Sequence, residues 1–221
     1  VVIELIEGGM KQETAKFLDR YSGENVNKYE EEFAKFFGMK YATAVSSGTA
    51  AIHSAIASLD LEPGSEVITS PITDPGTVMP ILFQGLIPVF ADVDFDTLNI
   101  TSETIEKVIT NKTKVIIPVH LAGVPCQMDK IMKLGKKYKL KVIEDCAQSH
   151  CSIYKNKYVG TFGDMGAFSL MSGKHMTSGG QGGMVITNNE NYYWNAKRFA
   201  DRGKPFGIKN PEGNVSLGLN Y

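Results

Sequence analysis

Three stretches of the sequence hold residue types whose order could do chemistry. In AVSSGTAAIHSA (44–55) a short apolar strand runs into a helix through Ser46, Ser47, Gly48 and Thr49. The free N–H groups at such a helix start, with the helix dipole behind them, attract anions, most often phosphate. The same residues also serve as an ordinary N-cap. In KLKVIEDCAQSH (139–150) an apolar strand ends on Glu144 and Asp145, with Gln148 three residues further on. Ligands of open α/β sheets sit beyond the carboxyl ends of strands. A carboxylate there needs a cation or several donors, unless it caps the next helix. In GDMGAFSLMSGKHMTSGGQGGMVIT (163–187) Lys174 lies just past a strand, in a glycine-rich connection to the next one. A turn lysine is ordinarily a solvated cation. Here small and apolar neighbours would desolvate the amine and make it a Schiff-base nucleophile. Ser169, five residues earlier, offers a hydroxyl.

Two nucleotide motifs fail on these stretches. A dinucleotide fingerprint needs three glycines where only Gly48 stands. A Walker A loop needs Ser or Thr after Gly173-Lys174, where His175 stands, and a leading glycine where Phe168 stands. Metal ligation by Cys146, His150 and Cys151 lacks a C-x-x-C pair and a fourth ligand, so no metal is expected. An anion site, a strand-end acid and an activated lysine together match what pyridoxal 5'-phosphate requires for its phosphate, its ring nitrogen and its aldehyde.

The elements that would position these groups alternate. Apolar spacing predicts helices over 28–37, 50–59, about 76–84, 102–109 (with Ser102 as N-cap), 128–140 and 191–201. Apolar runs predict strands over 41–45, 66–70, 87–93, 114–120, 141–145, 165–171 and 183–188. Strands alternating with helices imply an α/β fold, three layers (α/β/α) around a mostly parallel seven-stranded sheet. Neither a repeat nor a low-complexity linker divides residues 1–221, which read as one domain. His53 falls inside a helix and reads as packing. His120 either faces the site or is a satisfied core histidine. Cys146 reads as filling a small pocket.

Composition sets the outer bounds. The 221 residues are 43% hydrophobic and 21% charged, which excludes disordered, collagenous and small disulfide-rich classes. Basic and acidic residues balance, 23 against 24, so no net field points to nucleic acid or an anionic membrane. Three cysteines, an odd number, fit a reducing compartment. Without a signal peptide or a long apolar run, a cytoplasmic location is expected.

The order SSGTAA, PVHLAG, VIEDCAQSH and GTFGDMGAFSLMSGKHMTSGGQGGMV resembles the DegT/DnrJ/EryC1/StrS aminotransferase family. SGENVNKYEEEFAKFFGMKYATAVSSGTAA is similar to that family's opening segment, and the closing GLNY to its G-x-N-Y stretch. The resemblance implies a fold-type I, pyridoxal-phosphate-dependent enzyme. It would move an amino group from glutamate or glutamine to a keto sugar, typically nucleotide-linked, or to a related cyclitol ketone. Lys174 would hold the cofactor covalently and Asp145 would pair with its ring nitrogen. Gln148 would meet the phenolic oxygen, and Gly48, Thr49 and Ser169 would hold the phosphate. Asn220 would reach the phosphate of a neighbouring subunit, which implies a homodimer with shared sites. Lys174 disfavours the family's dehydratase branch, where a histidine replaces it. Asp74 stands where the family stacks an aromatic ring on the cofactor. The chain would be the large, cofactor-binding domain, with a smaller C-terminal domain lying outside it. The alternative is a protein of the same fold that binds the cofactor without turnover.

Overall fold

The computed structural model describes residues 23–209 and 211–221. The start of the N-terminal segment assigned to the domain lies outside them. The elements run α1 (Gly23–Phe37), β1 (Tyr41–Val45), α2 (Gly48–Ala57), β2 (Glu66–Thr69), α3 (Pro75–Phe83) and β3 (Ile87–Phe90). They continue with α4 (Ser102–Glu106), β4 (Thr113–Ile117), α5 (Met128–Tyr138), β5 (Lys141–Asp145) and the short pair β6 (Ile153–Tyr154) and β7 (Lys157–Tyr158). The series closes with β8 (Met165–Ser169), β9 (Gly183–Thr187) and α6 (Glu190–Ala200).

Seven strands form one sheet in the order β1-β9-β8-β5-β4-β2-β3. The pairs from β8 to β3 are all parallel, and β9 runs against both of its neighbours, β1 and β8. The expected mostly parallel sheet is therefore present. Successive strand residues point to opposite faces, and in the central strands both faces are buried, each in its own core. Val115, Ile117, Ile143, Met165, Ala167 and Val185 pack with α2 on one side. On the other side Phe168, Met184 and Ile186 meet Phe33 and Phe37 of α1, while Ile116 and Val142 meet Ile105 of α4 and Ile131 and Leu134 of α5. These are the three layers. Helix α2 is buried along its whole inner run, Ala50 to Ile56, as suits a helix apolar on nearly every face.

Several boundaries differ from expectation. Helix α1 begins at Gly23, five residues before the periodic stretch, because its first turns are polar and give no apolar signal. Strands β3, β4 and β8 stop two or three residues short of their apolar runs. Beyond them Ala91, Val119 and Leu170 stay buried in the connecting loops. Thr101, not Ser102, caps α4: its hydroxyl accepts from the Thr104 N–H, and the Thr104 hydroxyl accepts from the Thr101 N–H. The β6–β7 pair was not foreseen, since two-residue strands leave no period to read. No described helix is long and apolar enough to cross a membrane.

His53 is a packing residue, as expected. The Gln84 amide nitrogen lies 2.7 Å from its Nε2, so the ring proton sits on Nδ1 and goes to the Tyr221 hydroxyl at 2.6 Å. The Phe199 ring lies edge-on, and burial lowers the pKa of the imidazole to about 4. Below its ordinary value of 6.5 the unfolded chain gains a proton that the folded chain refuses until about pH 4. Stability therefore falls as pH drops through that window, by about 2–3 kcal/mol from this residue. Urea unfolding at pH 7.5 and 4.5 should show His53→Gln losing that much less than wild type on acidification.

Candidate active site

The carboxyl ends of the parallel strands converge where β1 turns into α2. Ser47 is the N-cap of α2, and its hydroxyl accepts from the Ala50 N–H at 3.0 Å. The N–H groups of Gly48 and Thr49, ahead of it, have no intrahelical acceptor, as in every first helical turn. Ser169, the last residue of β8, presses against this turn. A Cβ at Gly48 would lie 2.6 Å from the Ser169 Cβ, so only glycine lets the serine come that close. Helix α3 brings its own N-terminus alongside. Asp74 caps it, its Oδ1 accepting from the Gly76 N–H at 2.8 Å. Two helix starts and a hydroxyl thus face one space, a favourable place for an anion.

The two carboxylates at the end of β5 have opposite surroundings. Glu144 is fully buried. Its Oε1 accepts from the N–H groups of Phe162 and Gly163, both at 2.7 Å. Its Oε2 accepts from Gly160 N–H at 2.8 Å and from His120 Nε2 at 3.0 Å. The Cys126 N–H donates to His120 Nδ1 at 3.0 Å, so the ring proton lies on Nε2. His120 is accordingly a satisfied core histidine. The Cys146 sulfur lies near this pair, but both His120 nitrogens and both Glu144 oxygens are engaged in these hydrogen bonds. Burial, first of all, raises the Cys146 thiol well above its ordinary range, which fits a pocket-filling role. Cys151 is exposed, while Cys146 and His150 are buried.

Asp145 faces the cavity. Its Oδ2 accepts from the Thr77 hydroxyl at 2.7 Å and its Oδ1 from the Ala147 N–H at 3.0 Å. Burial pushes this carboxyl upward, opposed by those two donors and by the nearby Lys174 charge. A turn rather than a helix follows Asp145, so it caps no helix. Gln148 accepts from the Ala122 N–H at 2.9 Å through Oε1, which leaves its amide nitrogen for the cavity.

Lys174 follows β8 on a turn closed by its own N–H to the Met171 carbonyl at 2.8 Å. The residues flanking it do not enclose it: Ser172, Gly173 and His175 are exposed. The half-buried lysine instead borders the cavity directly, near enough for its charge to favour the ionised form of Asp145. The cavity, about 290 Å³, is bordered by Gly48, Thr49, Asp74, Asp145, Gln148, Ser169 and Lys174, seven of the eight residues singled out from the sequence. Asn220 is the exception. It pairs with Asp201 in an isolated bridge and lines a separate cavity of about 420 Å³ beside Ser46. Thr77 and Gln181 border the first cavity and were not foreseen, since a threonine in a first helical turn and a glutamine among glycines carry no motif.

The sequence model of the DegT/DnrJ/EryC1/StrS aminotransferase family matches residues 10–221. The chain belongs to that family. This member is 42% identical over 199 residues to a GDP-perosamine synthase of Escherichia coli O157:H7, covering 90% of the chain and 54% of the relative. An aminotransferase structure from Psychrobacter cryohalolentis superposes with a TM-score of 0.85 at 42% identity, over 90% of this chain and 53% of that one. A Bacillus subtilis structure with bound PMP gives 0.83 at 32% identity, over 90% and 45%. This family member thus spans about half the length of the relatives it matches.

Proposed function

We propose that the chain is the cofactor-binding part of a pyridoxal-phosphate-dependent aminotransferase. It would move an amino group from an amino acid, glutamate or glutamine, to a keto sugar, nucleotide-linked or a related cyclitol ketone. The observation that carries this reading is the meeting of an anion-binding helix start, a buried strand-end carboxylate and a lysine on one cavity. The residues fit the group: Gly48 leaves room for Ser169 at the helix start, and buried Asp145 offers a carboxylate to a ring nitrogen. The synthase relative and the PMP-bound neighbour support the same chemistry.

Bound here, the cofactor would supply an aldehyde that condenses with amines and a ring that accepts electrons. The N–H groups of Gly48 and Thr49 and the Ser169 hydroxyl hold its phosphate. Asp145 keeps a proton on its ring nitrogen, and the Gln148 amide nitrogen donates to its phenolic oxygen. Lys174 would anchor it and would carry a proton to and from the donor's α-carbon. Asp74, already engaged in capping α3, gives the cavity mouth a polar wall where the resemblance implies an aromatic one. Asn220, outside this cavity, would serve the site of a second subunit in a homodimer.

The test is a half-reaction. Full-length protein loaded with pyridoxal phosphate and given glutamate or glutamine should lose its visible cofactor absorbance and release the matching keto acid. A panel of nucleotide-linked keto sugars and inososes should then restore the absorbance for the true acceptor. A spectrum unchanged by every amino donor refutes the transferase and supports the non-catalytic alternative.

A further inference from the structure

Thr77 is 1% exposed, and its single hydroxyl proton goes to Asp145 Oδ2 at 2.7 Å. The Thr73 hydroxyl lies 2.7 Å from the Thr77 oxygen, so Thr73 must be the donor of that contact. Thr73 is half-buried at the cavity wall. The two hydroxyls form a chain pointing inward, Thr73 to Thr77 to the carboxylate. With the Ala147 N–H on Oδ1, each oxygen of Asp145 has one fixed donor and a lone pair left for one further partner.

A carboxylate this deeply buried is costly to keep ionised unless donors compensate it. The backbone supplies one donor and the Thr73–Thr77 pair supplies the other. We propose that Thr77, oriented by Thr73, is the positioning residue for Asp145, holding it as an aimed carboxylate against the ring nitrogen of the bound cofactor. This rests on the reading above, that Asp145 meets that nitrogen. Valine at 77 keeps the shape and removes the hydroxyl. The acid would then lose both its alignment and one of its two hydrogen-bond donors.

The test separates this role from a merely structural one by changing the cofactor. In the full-length protein freed of cofactor, dissociation constants are measured for pyridoxal phosphate and for its 1-deaza analogue, in which a C–H replaces the ring nitrogen. Wild type should prefer pyridoxal phosphate. Thr77→Val should weaken pyridoxal phosphate by about tenfold or more, the usual scale for a hydrogen bond to a charged group, and leave the analogue within about twofold. Thr77→Ser should restore the wild-type preference. Thr73→Val, nearer the surface, should weaken pyridoxal phosphate alone by about threefold, and it carries the test if Thr77→Val does not fold. Equal weakening of both ligands, or of neither, in these valine variants overturns the role of Thr77. A wild-type protein that binds both ligands equally overturns the assignment of Asp145 itself.

Discussion

Lys174→Ala in the full-length protein is expected to lower amino transfer by at least about a thousandfold, the scale of losing a proton carrier that also anchors the cofactor. Lys174 borders the same cavity as the anion site, and its charge is felt at Asp145. Lys174→Arg separates charge from chemistry. A guanidinium preserves the positive charge near Asp145, yet it neither condenses with an aldehyde nor gives up a proton at neutral pH. Both variants should therefore fold, lose the visible absorbance of covalently held cofactor and lose turnover, with arginine no better than alanine. Stopped-flow and steady-state assays with glutamate read this directly. Turnover within tenfold of wild type in either variant would remove Lys174 from the proposed role.

The parts of this site that could be read in the sequence are those where one residue carries its own signal. Gly48 after a short apolar strand, Asp145 at the end of VIED and Lys174 in a glycine-rich connection are each recognisable from immediate neighbours, because strand ends and helix starts are local events. The sheet was legible for the same reason. Val142 and Ile143 enter cores on opposite faces, and a strand buried on both faces reads as a short continuous apolar run. Thr77 was not legible. Its role arises from a hydrogen bond spanning 68 positions, and nothing near it in the chain distinguishes it from a first-turn threonine. Nor was the division of labour between Glu144 and Asp145, which depends on which face of β5 meets the 160–163 loop and which meets the cavity.

That division puts the second large effect on stability rather than catalysis. Glu144 takes four donors on two oxygens in a site without solvent: three backbone N–H groups and His120. In Glu144→Gln one oxygen is replaced by an NH₂ that faces two N–H donors and can accept from neither. Loss of such a buried, fully used carboxylate is expected to cost about 3–5 kcal/mol. Glu106→Gln is the contrast. Its carboxylate meets Lys137 and Tyr138, both at 2.7 Å, but the carboxylate and the lysine are open to solvent. It should cost less than about 1 kcal/mol. Urea denaturation of the two variants beside wild type decides the matter. The consequence should reach the site, because the His120 N–H donates to the Asp145 carbonyl at 3.1 Å. Disordering the Glu144 network would shift the strand end that aims Asp145, so Glu144→Gln should weaken cofactor binding although Glu144 never touches the cavity. Stability within 1 kcal/mol of wild type together with unchanged cofactor affinity would show that the four donors are satisfied without it.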